Sequence, residues 1–260
     1  MNIVVCVKQT PDTAATVTVE GGQVSWGDSP LVLNPWDEYA VEEALRTKEA
    51  HGGKVTAVSM GPESAKDALK QALAMGCDEA ILISDEALKA ADSLATSHVL
   101  AAAIGKLDSP ELVFFGKASV DSASGVTFAQ TARLLGKPLL SQVAGVTSID
   151  PDSATITVER LLPEGREVVE SSMPAVVSVT KEINEPRYPS FMGIRKASKA
   201  EIPTWGAGDL GMDSVPKAKV DWPEIFAIQQ AATSCEVIEG ETPEAMAAKL
   251  ADRLLEEKVI

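Results

Sequence analysis

Short apolar runs alternate with helical patterns through the first half of the chain. The β-branched run at 3–7 predicts a buried strand, and Gly21-Gly22 between two short apolar-polar runs predicts a hairpin. Asn34-Pro35 is typical of a helix start, and Gly52-Gly53 of a helix end. Further strands are predicted at 54–60, 79–83 and 112–115, with helices at 63–75, 93–107 and 127–135.

The pattern changes after Pro138. Strands are predicted at 139–146, 154–161, 167–171 and 175–179 with no helix between them, which indicates an antiparallel or mixed portion of the sheet. Residues 181–202 and 205–223 show little periodicity, and a helix returns at 242–258 with Thr242 as its cap. We therefore expect a main domain at 1–202 and an extended C-terminal arm at 203–260 that lies on something else.

The β-α repetition predicts an α/β fold with a mostly parallel sheet flanked by helices. Ligands of such sheets bind at the carboxyl ends of the strands. The strand ends with loop chemistry are 6–10, 59–62, 84–85 and 116–125. The last loop is rich in small and hydroxyl residues and precedes a helix, so its backbone N–H groups could bind a phosphate. The alternative is a flexible solvated loop, since neither GxGxxG nor GxxxxGK[ST] occurs.

Charge and composition argue against several classes of function. The 260 residues carry a net charge of −15, which argues against a nucleic-acid binder. The three cysteines are far apart, and two histidines cannot form a three-histidine metal site. No apolar stretch approaches the ~20 residues of a membrane span. The N-terminus is strand-like and lacks signal-peptide features, so a cytoplasmic protein is expected.

Candidate catalytic groups are few. Neither GxSxG nor HExxH occurs. Asp37-Glu38 and Glu42-Glu43 are paired carboxylates, but at helical spacing they are expected on a solvated face. The sequence thus favours a binding or carrier protein over an enzyme.

The segment 181–199 is basic within an acidic chain. It holds five basic residues, namely Lys181, Arg187, Arg195, Lys196 and Lys199, against two acidic ones. Phe191 and Met192 lie in its middle, and an apolar pair rimmed by charge is typical of a docking site. The alternative is a loop whose phenylalanine folds back into the core.

Several motifs, spread in order from Met1 to about Gly211, carry a resemblance to a known family. They are Val7-Lys8-Gln9, Asn34-Pro35-Trp36-Asp37-Glu38, Ala40-Val41-Glu42-Glu43-Ala44, Ala72-Leu73-Ala74-Met75-Gly76-Cys77-Asp78, Asp92-Ser93-Leu94-Ala95-Thr96-Ser97, Val158-Glu159-Arg160, Pro174-Ala175-Val176-Val177 and Asn184-Glu185-Pro186-Arg187-Tyr188. Together they resemble the beta subunits of electron transfer flavoproteins.

The resemblance implies a heterodimer with an alpha subunit that shuttles electrons from flavin-linked dehydrogenases to an acceptor. It implies a redox-active FAD held mainly by alpha, and AMP or a second FAD held by the beta subunit. Trp36 would approach the flavin on alpha. The arm at 203–260 would pack on the alpha subunit, and Phe191 would anchor the dehydrogenase partner. The charge and apolar pattern of the segment adds Met192, Arg187, Arg195 and Lys196 to the expected docking site.

The implied cofactor-binding residues lie on three strand ends and one helix start. They are Cys6, Asn34, Pro35, Trp36, Asp37, Met60, Gly116, Lys117, Ala118, Ser119, Val120, Asp121, Ser122, Ala123, Ser124, Gly125, Val126 and Thr127. The loop departs from the family's usual Asp-Gly-Asp-Thr-Ala-Gln pattern. Val126 replaces the amide side chain and Ala123 an acidic one, which leaves AMP and a second FAD open as ligands.

Two other classes of function stay open on the residues alone. An ATP-dependent enzyme of the adenine-nucleotide α/β group would usually carry a Gly- and Ser-rich loop after the first strand, where this chain has Gln9-Thr10-Pro11-Asp12. A stand-alone nucleotide-binding module would not need the long arm after Pro203.

Overall fold

One mixed sheet organises the described residues of the computed structural model, which are 1–89, 91–227 and 235–260. The strands in chain order are β1 Asn2–Cys6, β2 Gln9–Pro11, β3 Thr18–Glu20, β4 Gln23–Ser25, β5 Leu31–Leu33, β6 Lys54–Met60, β7 Glu79–Ile83, β8 Leu112–Gly116, β9 Leu139–Asp150, β10 Thr155–Leu162, β11 Gly165–Ser172, β12 Ala175–Val179 and β13 Thr204–Trp205. The helices are α1 Pro35–His51, α2 Lys66–Met75, α3 Ser93–Lys106, α4 Thr127–Leu135, α5 Phe191–Ala197 and α6 Pro243–Glu256.

The large sheet has the strand order β11-β10-β9-β12-β8-β1-β6-β7-β13. Every neighbouring pair from β9 to β13 in that order is parallel, whereas β9, β10 and β11 pair antiparallel. The predicted α/β class and its antiparallel portion are both confirmed. The chain leaves β1 toward β6 on one side and later returns to β8 on the other. The order therefore reverses between β1 and β8, which is where open α/β sheets bind ligands.

Alternate side chains of β1 and the residue after it belong to two apolar layers, one on each face of the sheet. Ile3, Val5 and Val7 pack with α1 and α2 on one face of the sheet. Val4 and Cys6 pack with α3 and α4 on the other face. Because both faces are covered, β1 is an almost continuous apolar run, as buried parallel strands generally are.

The segment expected to be a loop at 181–202 contains a helix. Ser190 caps α5 by accepting a hydrogen bond from the backbone N–H of Gly193 at 3.0 Å. A Cβ on Gly193 would clash with the carbonyl oxygen of Ala74, so glycine allows α5 to pack closely on α2. The weak periodicity at 181–202 did not reveal this helix, because the contact of Gly193 with α2 is remote in sequence.

The start of the predicted arm belongs to the sheet. Ser84 donates its backbone N–H to the carbonyl oxygen of Trp205 at 3.0 Å, and Thr204–Trp205 forms the edge strand β13. Trp205 is half-buried, and the ammonium group of Lys106 lies 4.6 Å from the centroid of its ring. The compact unit runs Met1–Ile225, beyond the predicted boundary at 202.

The second unit, Phe226–Ile260, contains α6. Thr242 caps this helix through the backbone N–H of Ala245 at 3.2 Å, as predicted. None of its residues is buried. No helix among the described residues combines the length and apolarity needed to cross a membrane.

The paired carboxylates of α1 are not on a solvated face. Asp37, Glu42 and Glu43 are all buried, which corrects the sequence-based expectation. The chain after β12 lies across α1 there. Asn184 donates to Glu43 at 3.0 Å, and Arg187 donates to Glu42 at 2.8 and 3.0 Å and to Glu49 at 2.5 Å. These contacts are remote in sequence, so helical periodicity could not reveal them.

Candidate functional site

A cavity of about 1170 Å³ opens at the carboxyl ends of β1, β6, β7 and β8. It lies at the reversal of strand order between β1 and β8, where Cys6 and Gly116 end their strands. Buried Phe115 and Phe128 contribute apolar wall, and the loop after β8 contributes backbone and hydroxyl groups. Its volume slightly exceeds the ~300–1,000 Å³ of typical small-molecule sites.

Asn34 joins the start of α1 to the loop after β8. Its side-chain amide donates to the carbonyl oxygen of Ala118 at 2.9 Å and accepts from the backbone N–H of Val120 at 3.2 Å. It makes no side-chain capping bond to α1, although it precedes Pro35. The predicted helix start is confirmed, but the asparagine side chain shapes the loop instead of capping the helix.

Gly116 lies where two segments come very close. A Cβ on this residue would lie 2.5 Å from a carboxylate oxygen of Asp37 and 2.7 Å from the carbonyl oxygen of Trp36. Only glycine therefore lets the end of β8 pass beside the first turn of α1. The close passage brings Asp37 and Gly116 to the same wall of the cavity.

Asp37 is a buried carboxyl group in that wall. Its Oδ2 accepts a hydrogen bond from the backbone N–H of Lys8 at 2.8 Å. Burial raises the pKa of Asp37 to about 7, against the lowering effect of hydrogen bonds from Asn34, Lys8 and Gly116. Burial, and secondarily the charge of Asp37, also raise the pKa of the Cys6 thiol, which keeps it protonated and unreactive.

Several contacts order the loop at 117–126. The ammonium group of Lys8 pairs with Asp121 at 2.6 Å, and the hydroxyl groups of Ser119 and Ser122 lie 2.8 Å apart. Ala123 and Gly125 have φ angles of 50° and 59°, in the left-handed region. The loop is thus a shaped turn held by bonds within the chain.

α4 begins directly after this loop, without a side-chain cap. Val126 precedes the helix and offers no capping oxygen to its first N–H groups. Val126, Thr127 and Phe128 all line the cavity. Uncapped N–H groups and the helix dipole favour an anion at this end of the cavity.

The structure brings most predicted cofactor-binding residues to the cavity. The lining includes Cys6, Asn34, Asp37, Met60, Gly116, Lys117, Ala118, Ser119, Ser122, Ser124, Gly125, Val126 and Thr127. Pro35, Trp36, Val120, Asp121 and Ala123 are not among the lining residues. Trp36 is half-buried beside the cavity, and the Lys117 ammonium group lies 4.5 Å from the centroid of its ring.

Sequence reasoning missed the wall formed by α3 and the chain after β13. Asp92, Ser93 and Thr96 line the cavity from the start of α3, and Val220 and Trp222 line it from the chain after β13. Asp92 caps α3 by accepting from the backbone N–H of Ala95 at 2.8 Å. Its position could have been inferred, because an acidic N-cap after the β7 loop must lie at the same sheet edge.

Comparison with known proteins identifies the family. The electron transfer flavoprotein domain matches residues 27–210. The electron transfer flavoprotein subunit beta of Clostridium acetobutylicum is 43% identical over 215 residues, which cover 82% of this chain and 81% of that protein.

The chain belongs to the electron transfer flavoprotein family.

Other relatives of this electron transfer flavoprotein chain agree. The subunit beta of Thermoanaerobacterium thermosaccharolyticum is 40% identical, with 82% of this chain and 81% of that protein covered. The protein FixA of Azorhizobium caulinodans is 35% identical, with 84% and 79% covered. These relatives support an electron carrier subunit of the beta type over the enzyme and stand-alone alternatives.

The predicted docking segment of the electron transfer flavoprotein chain presents an apolar surface. Phe191 is 79% exposed, and Met192 and Ile194 are exposed beside it, whereas Ala197 on the same helix is buried. Arg195 and Lys196 lie in the last turn of α5. Arg187 forms ion pairs with Glu42 and Glu49 of α1, so it holds the segment that precedes α5 against that helix.

Proposed function

We propose that the chain pairs with an electron transfer flavoprotein alpha subunit and holds an adenine nucleotide in the cavity between β1 and β8. The nucleotide is AMP or a second FAD, while the redox-active FAD lies mainly on alpha. The observation that carries the proposal is the shaped loop at 117–126 leading into the uncapped N-terminus of α4 at the reversal of strand order. This combination is what a phosphate-binding site requires.

The residues of the cavity fit a nucleotide. Backbone N–H groups at 124–127 and the hydroxyl groups of Ser122, Ser124 and Thr127 offer donors to a phosphate, and Lys117 adds positive charge to the lining. The apolar wall at Leu100, Phe115 and Phe128 suits a planar ring. A bound flavin supplies reversible electron storage, and this chain contributes binding and orientation.

Counting cofactors tests the proposal. The chain would be produced together with its alpha subunit, and the purified complex would be denatured to release and quantify FAD and AMP. One FAD and one AMP per complex would indicate a carrier with a single redox centre, whereas two FAD would indicate a second flavin in this chain. A complex with flavin on alpha but no nucleotide on this chain would contradict the proposed cavity ligand.

The same complex presents two further surfaces. We place Trp36, with Lys117 against its ring, toward the flavin of alpha, and the part of the arm beyond the compact unit, Phe226–Ile260, on the alpha subunit. The exposed face of α5 is assigned to flavin-linked dehydrogenases, with Phe191 as the anchor. An exposed aromatic side chain held on an ordered helix is suited to that role, since little conformational entropy is lost when it docks.

A further inference from the structure

A short connecting segment forms one wall of the cavity and is held there by a single carboxylate. We name residues 219–222, which precede the second unit, the strap. Asp92 accepts hydrogen bonds from the backbone N–H groups of Lys219 at 2.7 Å and Val220 at 3.2 Å through Oδ2. Through Oδ1 the same side chain caps α3 at Ala95. The strap is therefore fixed to the helix whose first turn lines the cavity.

The strap places a large aromatic side chain at the cavity. Trp222 is one of its lining residues, yet 76% of the residue is exposed to solvent. Phe115 and Phe128, the other aromatic residues of the lining, are buried in the core. Trp222 therefore contributes little to the core of the folded chain and offers an open ring to whatever enters the cavity. A planar aromatic ring is the natural partner of such a side chain.

We propose that Trp222 is a ligand-contacting residue that stacks on the ring system of the nucleotide, and that Asp92 is a positioning residue that holds the strap for this contact. The inference rests on the proposed function, because it assumes a nucleotide in the cavity. It adds a second recognition element that is remote in sequence from the phosphate loop. The ring would be held at the strap and the phosphate at α4, so the two ends of the ligand would be bound by remote parts of the chain.

Another role for Trp222 is to cover the alpha subunit as part of the arm. The two roles predict different losses. A stacking residue would lower nucleotide affinity when replaced and leave pairing with alpha intact. An interface residue would weaken pairing and leave nucleotide affinity unchanged.

The test uses the full-length chain in complex with its alpha subunit, and AMP and FAD as the probes. Trp222→Leu removes the aromatic ring, Trp222→Phe keeps a smaller one, and Trp26→Leu is the control, since Trp26 is partly exposed and lies outside the cavity lining. We expect Trp222→Leu to weaken binding of the probe that occupies the cavity about tenfold, because stacking of one base on an aromatic side chain has that order of effect. Trp222→Phe should lose much less of the affinity for the probe, and Trp26→Leu should keep the wild-type affinity.

Asp92→Asn tests the positioning role. Its amide oxygen can still cap α3, but its amide nitrogen cannot accept the N–H groups of Lys219 and Val220. We expect weaker nucleotide binding with little change in melting temperature. If Asp92 acts through Trp222, the double variant Asp92→Asn, Trp222→Leu should bind no more weakly than Trp222→Leu alone. Full additivity of the two losses would overturn the positioning role.

The outcomes separate this inference from the proposed function. If the wild-type complex binds AMP or FAD in this chain and Trp222→Leu binds it equally well, the strap inference is wrong and the proposed function stands. Loss of pairing with alpha at unchanged nucleotide affinity would also overturn it. A wild-type complex that holds no nucleotide in this chain would overturn both.

Discussion

At the scale of single residues, glycine positions decide how the phosphate loop is built. Gly125 has a φ of 59° and only ordinary contacts around a hypothetical Cβ, the nearest at 3.5 Å from the carbonyl oxygen of Lys117. The conformation and not crowding therefore requires glycine there. A β-branched residue would rearrange the loop to escape the left-handed region.

We predict that Gly125→Val removes the nucleotide from the purified complex. Gly27→Val is the matched control, because Gly27 has a φ of 56°, open space around it and no place in the cavity lining. Both variants carry the same backbone strain, so only loss of the ligand distinguishes them. Nucleotide content that stays equal in the two variants would contradict the phosphate site at this loop.

Asp37 gives a second prediction at the residue scale. Its pKa is about 7 in the folded chain, against a usual value of 3.8. The folded state therefore binds more protons than the unfolded state between these values, and the free energy of unfolding should fall as pH rises through them. Burial also raises the pKa of Glu38 and of Glu43, in the same direction.

Asp37→Asn should make this pH dependence shallower. The amide keeps an oxygen that can accept from the backbone N–H of Lys8 but cannot ionise. Chemical denaturation of the nucleotide-free complex at several pH values measures the effect. A profile as steep as that of the wild type would show that Asp37 is already ionised across the range.

At the scale of elements, the sequence predicted local structure well and long-range contacts poorly. Strand and helix signals are local, so α4 at Thr127–Leu135 and β12 at Ala175–Val179 lie where expected. The burial of Glu42 depends on Arg187, which follows 145 positions later. The contact of Asp92 with Lys219 is also remote. Neither pair of residues is marked by a pattern in the nearby sequence. The cavity wall at the strap and the contacts of Arg187 with α1 therefore could not be predicted.

Arg187 is the element-scale link between α1 and the chain leading to α5. Its guanidinium group bonds the buried Glu42 and the exposed Glu49. We predict that Arg187→Ala lowers the free energy of unfolding by about 1–3 kcal/mol, since Glu42 would be left buried with only Arg46, 4.0 Å away, as a cationic neighbour. Glu49→Ala, which removes only the exposed partner, should cost less than about 1 kcal/mol. Equal losses in urea denaturation would contradict the structural role of the buried pair.

The exposed face of α5 yields the next prediction. Phe191→Ala should slow electron transfer from a dehydrogenase. An aromatic side chain that becomes buried when the partner docks commonly contributes about 2 kcal/mol or more to a transient interface. Flavin content and melting temperature should barely change, since Phe191 packs little within its own chain. Phe114→Ala is the contrasting variant, because that core side chain is fully buried and its truncation typically costs about 3–5 kcal/mol of stability.

Transfer rate and melting temperature together decide the role of Phe191. A large loss of stability with normal transfer by the surviving folded protein would contradict docking. Val168→Ala, which alters an exposed apolar residue on β11, should leave transfer from the dehydrogenase at the wild-type rate.

At the scale of the whole molecule, the boundary between the two compact units lies after Ile225, so the arm is shorter than the sequence predicted. The chain after Ile202 first completes the sheet, since Leu82 donates to the carbonyl oxygen of Pro203 at 3.0 Å and Ser84 to that of Trp205. Leu210, Met212 and Val215 then pack on the apolar layer beside α3 and α4. A truncation after Ile202 would expose that layer and the edge of β7, so it would test folding more than pairing.

A truncation after Ile225 tests pairing alone. It removes the second unit, in which α6 buries none of its residues although Leu250 and Leu255 are apolar and exposed. Exposed apolar side chains on an ordered helix indicate a surface that a partner covers.

We predict that this truncation leaves the melting temperature of the isolated chain within a few degrees of the full chain, because the sheet, its two apolar layers and the strap all remain. Copurification with alpha should be lost. The truncation after Ile202 serves as the comparison, and its melting temperature should be much lower. A chain ending at Ile225 that still copurifies with alpha at full yield would show that pairing depends on the main unit and not on the arm.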